Sequence, residues 1–145
     1  MKEITYRKCL PGHIECIRIQ DAQRHEHAFM LNSEYAEIAT SHRAFSMWAG
    51  NDCLGAAGIV PIFPHRAVAW ALISGDIGAY LLPATRKARQ FLTLDPTPRI
   101  EMTVPVGFDA GHTWARLLGM ELETPSPLRK FGASGDDELM YARVR

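Results

Sequence analysis

At 145 residues the chain is short enough for one domain, residues 1–145, and long enough to bury a core without disulfides or a structural metal. Its 16 Lys and Arg offset 16 Asp and Glu, so no overall field draws in nucleic acid or an anionic membrane, and any basic surface must be local. No apolar run approaches the ~20 residues that cross a bilayer, and the opening MKEITYRKCL lacks the apolar core of a secretory signal. A soluble chain that stays where it is made is the expectation, and its balanced charge is compatible with self-association.

Residues 3 to 8 alternate, with Ile4 and Tyr6 on one side, and predict a first strand. Pro11-Gly12 breaks it, and His13 to Ala28 reads as a single amphipathic helix. Asn32-Ser33 offers an N-cap for a second helix, with Tyr35, Ile38 and Ala39 on one face. Phe45–Ala49 and Leu54–Phe63 flank the turn signal Gly50-Asn51-Asp52 and predict a hairpin. After Pro64-His65-Arg66 the run Ala67–Ile73 is apolar on both faces, as a central strand is. Helical spacing returns through Tyr80, Leu81, Ala84, Ala88, Phe91 and Leu92, with Pro83 in the first turn and Pro96 and Pro98 beyond the end. Ile100, Met102, Val104 and Val106 alternate as another strand. Asp109 can cap a short helix burying Trp114, Leu117 and Leu118, with Gly119 in its C′ position. Met120–Glu123, a Pro-rich loop and the strand Glu138–Val144 complete the chain. The order predicts an α/β fold with a mixed, mostly antiparallel sheet of six to seven strands and helices on both faces.

The segment Ile100–Val106, followed by His112-Thr113-Trp114-Ala115-Arg116-Leu117-Leu118-Gly119-Met120, resembles a strand, helix and turn of the GNAT-type N-acetyltransferases. More narrowly, the chain is similar to a phage-encoded GNAT-like family that includes an internal virion protein of short-tailed phages. The matching pieces are the hairpin Gly55–Pro61, the strand Ala69-Trp70-Ala71-Leu72, the basic helix Ala84-Thr85-Arg86-Lys87-Ala88-Arg89 and the closing Phe131-Gly132 to Tyr141-Ala142-Arg143. The resemblance implies that acetyl-CoA lies where Ala67–Ile73 and Arg99–Val106 splay apart. It further implies pantetheine pairing near Ile73, and a pyrophosphate held after that strand by Ser74, Gly75 and Gly78, a helix N-terminus being a donor-rich anion site. Arg86 and Lys87 would assist. Three positions depart from that pattern. Ser74-Gly75-Asp76-Ile77-Gly78-Ala79 spaces its glycines differently and adds a carboxylate, Phe108 replaces the usual Asn, and Ala115 replaces the Tyr that often serves as general acid. Together they predict impaired acetyl-CoA chemistry.

Other residues carry two readings each. Thr85, Arg86, Lys87 and Arg89 can grip a phosphate or an acidic partner, or form a solvated basic face, the commoner structure. Glu101 can act as a general base through water, or simply face solvent. His25 and His27, two apart on a helix, point away from each other and hold no common metal; His65 and His112 are isolated. Cys9, Cys16 and Cys53 have neither metal nor disulfide spacing and read as reduced thiols. Trp48, Trp70 and Trp114 read as core residues before partner anchors.

Two functions follow from the resemblance. One is a GNAT-fold protein with a degenerate cofactor site, working through protein partners in a virion or in the host cytoplasm. The other is an acetyl-CoA-dependent N-acetyltransferase acting on a host protein or small-molecule amine, with Glu101 as its base. Nucleic-acid binding would rest on Arg86, Lys87 and Arg89 alone, without aromatic interleaving.

Overall fold

The computed structural model describes residues Met1–Arg145. Seven strands form a mixed sheet in the order β1-β2-β3-β4-β5-β7-β6. Along the chain they are β1 (Ile4–Lys8), β2 (Arg43–Ala49), β3 (Asp52–Phe63), β4 (Arg66–Ile73), β5 (Arg99–Pro105), β6 (Glu121–Leu122) and β7 (Glu138–Val144). The helices are α1 (Pro11–Glu15), α2 (Arg24–Met30), α3 (Ser33–Thr40), α4 (Leu81–Leu94) and α5 (Asp109–Leu117). No helix is long and apolar enough to cross a membrane. The chain divides into two units, Met1–Val60 with Ala69–Leu81, and Pro61–Val68 with Leu82–Arg145.

In the first unit, β1 and β3 flank β2 in antiparallel ladders. The β2–β3 turn has two residues, and Gly50 takes φ 60°, the left-handed value such a turn asks of its first position. Cys9, Ile14, Ile17, Ala36, Ala44, Trp48, Cys53, Ala56 and Leu72 form a buried cluster. Trp70 packs flat over Gly58, where a Cβ would lie 2.6 Å from its indole nitrogen; that nitrogen donates to Ala39 O at 3.1 Å. Asn32 caps α3 as expected, its side chain accepting from Glu34 N. The face of α3 differs from expectation: Ala36, Ala39 and Thr40 are buried, while Tyr35 and Ile38 are exposed.

The expected helix over residues 13–28 is broken. Only Pro11–Glu15 and Arg24–Met30 are α-helical, with a 3-10 turn at Asp21–Gln23. Between them the chain is extended enough for Ile19 to bridge Ser74, beyond the end of β4, in antiparallel fashion. Ile14 and Ile17 keep the helical spacing and are both buried. Pairing of the backbone with β4 overrides that local preference.

In the second unit, β5 pairs with β7 over its whole length, from Arg99 opposite Val144 to Pro105 opposite Glu138. The parallel ladder to β4 sets Arg66, Ala67 and Val68 against Arg99, Ile100 and Glu101. Helix α4 ends on arginines from the last strand: Arg143 donates to Leu92 O and Thr97 O, and Arg145 to Thr93 O at 2.6 Å. Cations there satisfy the orphan carbonyls and the negative end of the helix dipole. Helix α5 begins at Phe108 as N-cap, and Asp109 lies in its first turn without capping it. Gly111, His112 and Ala115 form its buried face, whereas Leu117 is exposed and Trp114 half-buried. Gly119, at φ 85°, closes α5 as expected, its N–H donating to Arg116 O and that of Met120 to Ala115 O.

Candidate functional site

The first unit carries its site candidates at the far end of β4. Ser74 N donates to Leu54 O, and a Cβ on Gly55 would meet Leu72 O at 2.7 Å, so Leu72 and Ser74 turn their polar groups toward β3. Strand alternation then turns those of Ala71 and Ile73 toward the opposite edge.

That edge is taken by the protein's own chain. Gln23 Nε2 donates to Ala71 O at 2.8 Å, and Ile73 N donates to Gln23 Oε1 at 2.9 Å. The orientation of the amide is fixed by chemistry, since a backbone N–H can only donate and a carbonyl can only accept. Gln20 Nε2 donates to the same Oε1 at 2.9 Å, filling its second lone pair. Gln20 N donates to Ile73 O at 3.2 Å, and Gly75 N to Arg18 O at 2.9 Å. Gln23 is only 9% exposed, so these bonds are shielded from water and costly to leave unmade.

The turn after β4 is equally self-satisfied. Asp76 N donates to Ser74 Oγ at 3.0 Å, and Ile77 N to Ser74 O at 3.2 Å. With Gly75 N on Arg18 O, three successive N–H groups have internal acceptors. Gly78 has φ 47° and open space around it, and Gly75 is exposed. The Asp76 carboxylate reaches the exposed Arg18 at 3.7 Å, a pair worth little in water.

The remaining candidates lie in the second unit. Glu101 does not face solvent. It is 3% exposed, and its carboxylate accepts from Arg66 Nε at 3.0 Å, Arg66 Nη2 at 2.5 Å and Arg99 Nε at 2.8 Å. The Arg66 guanidinium, helped by Arg99, holds this carboxyl below the usual range against the opposing effect of burial. Arg99 also grips Glu123 through two bonds of 2.7 and 3.0 Å. A carboxylate with both oxygens on guanidinium groups is a weak proton acceptor, and its chemistry here is that of an ion-pair anchor.

On α4, Thr85 Oγ1 accepts from Trp114 Nε1 at 2.8 Å and Arg89 donates to Leu117 O at 3.0 Å, so two of the four polar residues fasten α4 to α5. Arg86 is exposed and Lys87 half-buried. Phe108 folds back on its own helix: a Cβ on Gly111 would lie 2.6 Å from its ring and 2.7 Å from Val104. Ala115 is fully buried. His112 is structural as well, with Tyr141 Oη at 2.8 Å from Nδ1 and Pro105 O at 2.8 Å from Nε2. His27 Nε2 bonds Ile14 O, and no group of His, Cys, Asp and Glu side chains could hold a metal. Burial pushes the Cys9 and Cys53 thiols up to about 11, far from thiolate reactivity. All three indole N–H groups bond inside the protein.

Sequence reasoning missed Gln20, Gln23 and Glu138. The glutamines sat inside an expected helix, where nothing distinguishes them from a solvated face. Glu138 reads only as the first residue of the last strand, with no role, yet it is a carboxyl only 4% exposed. Burial pushes its carboxyl up, against a hydrogen bond from Thr103.

Against solved structures, the chain matches Ard1 from Thermoplasma volcanium at TM-score 0.75 and 13% identity, over 97% of both chains. It matches a GNAT-family acetyltransferase from Bacillus anthracis at 0.66 and 15% identity, over 99% of this chain and 96% of the other. An IAA acetyltransferase from Bacillus cereus matches at 0.71 and 8% identity, over 99% and 100%. No family profile and no curated protein matches the sequence. The fold is therefore that of the GNAT acetyltransferases, as the strand, helix and turn motifs led us to expect. Those matches lend nothing to the narrower phage-encoded resemblance, and identities this low say nothing about substrate.

Proposed function

We propose that this is a GNAT-fold protein whose acetyl-CoA site is degenerate and which works mainly through contacts with a protein partner. The observation that carries the reading is the Gln23 amide on Ala71 O and Ile73 N. Acetyl-CoA pairs with a strand edge through the amides of its extended pantetheine arm and places its pyrophosphate on free backbone N–H groups. On β4 the edge groups are bonded to Gln20 and Gln23, and the N–H groups of Gly75, Asp76 and Ile77 are bonded internally. Asp76 adds a like charge beside a dianion. The residues as arranged do not fit the cofactor, and no chemical step is assigned to it.

The altered positions point the same way. Phe108 and Ala115 supply neither the amide nor the hydroxyl of an active enzyme's pattern, and Glu101 is bound to two arginines. Placement of the partner in a virion or host cytoplasm rests on the sequence resemblance alone. The competing reading, an N-acetyltransferase for a host amine, draws its support from the fold.

Calorimetric titration with acetyl-CoA, beside an acetyl-transfer assay on polyamine and peptide amines, separates the two. The proposal expects no micromolar binding and no turnover. Micromolar binding with turnover would establish the enzyme reading instead.

A further inference from the structure

The disagreement between the fold and the cofactor is concentrated in one side chain. A neighbouring strand pairs with β4 by donating an N–H to one carbonyl and accepting from the N–H two residues on. Gln23 does both with a single carboxamide, on Ala71 O and Ile73 N. The backbone continues the imitation, with Gln20 N on Ile73 O and Arg18 O receiving Gly75 N around the Ile19–Ser74 bridge. Arg18–Gln20 thus covers the end of β4 as a short strand-like stretch, and the 3-10 turn Asp21–Gln23 that follows supplies a last amide from a side chain.

This cover differs from a packed core. Of its residues only Gln23 is buried, Ile19 and Gln20 are half-buried, and Arg18, Asp21 and Ala22 are exposed. It lies between two short helices of five and seven residues; α2 has no side-chain N-cap bond, and α1 has only the His13 ring accepting from Leu10 N at 3.2 Å. Segments held by few apolar contacts open locally at a fraction of the global unfolding free energy. The bonds that hold Gln23 are hydrogen bonds between amides, which an incoming amide can replace one for one.

We propose that Arg18–Gln23 is a displaceable internal plug: Gln23 occupies the amide-pairing edge of β4, and an acyl-CoA or another extended amide-bearing chain gains that edge only by expelling it. Gln20 is a positioning residue, holding Gln23 Oε1 in place through its Nε2. The inference rests on reading β4 as the cofactor-pairing strand, and it makes the degeneracy of the site a matter of competition, reversible by one substitution.

The test pairs acetyl-CoA calorimetry with residue-resolved amide exchange on the full chain, using wild type, Gln23→Ala and Gln20→Ala. Gln23→Ala should expose the Ile73 amide to exchange and tighten acetyl-CoA binding at least about tenfold, since no internal amide then competes. Gln20→Ala should act in the same direction and more weakly. If Ile73 becomes exposed in Gln23→Ala and affinity does not change, the plug is refuted while the degenerate site stands. If wild type binds at micromolar concentration with Ile73 still protected, the cofactor does not use this edge, and the reading of β4 fails with the plug. Should Gln23→Ala not fold, Gln23→Glu decides: it keeps the acceptor for Ile73 N, loses the donor to Ala71 O, and should tighten binding by a smaller factor. Unchanged affinity in a folded Gln23→Glu would also overturn the plug.

Discussion

The two ends of β4 satisfy the edge turned away from β3 by different chemistry. At Arg66–Val68 a regular parallel ladder to Arg99–Glu101 does the work, reinforced by Arg66 and Arg99 on the Glu101 carboxylate. At Ala71–Ile73 there is no ionisable group in the arrangement, only the carboxamide of Gln23 and the irregular backbone of Arg18–Gln20. A ladder reinforced by two arginines on a buried carboxylate is expensive to open, because the Glu101 carboxylate loses its charged donors. An amide paired to an amide can be exchanged for another amide, which offers the same donor and acceptor. Under the plug proposal, one strand is rigid where the fold is built and replaceable at its other end.

That contrast breaks most visibly at the ionic end. Glu101→Ala leaves Arg66 without its carboxylate and Arg99 with Glu123 alone, and should give the largest loss of stability in chemical denaturation. Gln23→Ala should cost less, about 1–3 kcal/mol, the price of two shielded backbone groups left without partners. A Gln23→Ala penalty equal to that of Glu101→Ala would mean that the amide end is as much a part of the scaffold as the ion pairs.

Acid sharpens the difference further. The Glu101 carboxyl titrates lower in the folded chain than in the unfolded one. The stability it contributes is therefore fully present above the ordinary glutamate range and is lost as pH falls through the folded value. Wild type should show this acid-side loss and Glu101→Gln should lack it, in denaturation midpoints followed from pH 7 to about pH 3. The opposite sign holds for Glu138, whose carboxyl burial pushes up. Its protonated form is favoured by folding, so stability falls as pH rises through its folded value, and Glu138→Gln should be slightly more stable at neutral pH. The smallest effect belongs to Glu123→Gln. Glu123 is exposed, and removing its contact with Arg99 should change stability by at most about 1 kcal/mol.

Much of this architecture was legible in the residues. Alternation marked β1 and β5, the Gly50-Asn51-Asp52 turn marked the hairpin, and Gly119 marked the end of α5. The glycine spacing in Ser74–Gly78 and the replacements at Phe108 and Ala115 were legible as departures from the family pattern, and they motivate the proposal of an altered site. The extended stretch between α1 and α2 was not legible. Ile14 and Ile17 satisfy a helical period, and only the tertiary pairing of Ile19 with Ser74 converts that spacing into a strand-like cover. Glu101 illustrates the same limit. Alternation sets it opposite Ile100, yet both residues are buried, and the arginine that holds it most closely is 35 residues away. Side-chain amides that imitate a backbone leave no trace in a sequence, because Gln at a helix surface and Gln on a strand edge are written identically.

The occupancy of the β4 edge is tested most directly by amide exchange at Ile73 in the free wild-type protein. The account predicts slow exchange at Ile73, lost in Gln23→Ala, while Ser74, bonded to Leu54 O, stays protected in both. Fast exchange at Ile73 in the wild-type protein, beside a protected Ser74, would mean that the edge stands open and that Gln23 does not hold it.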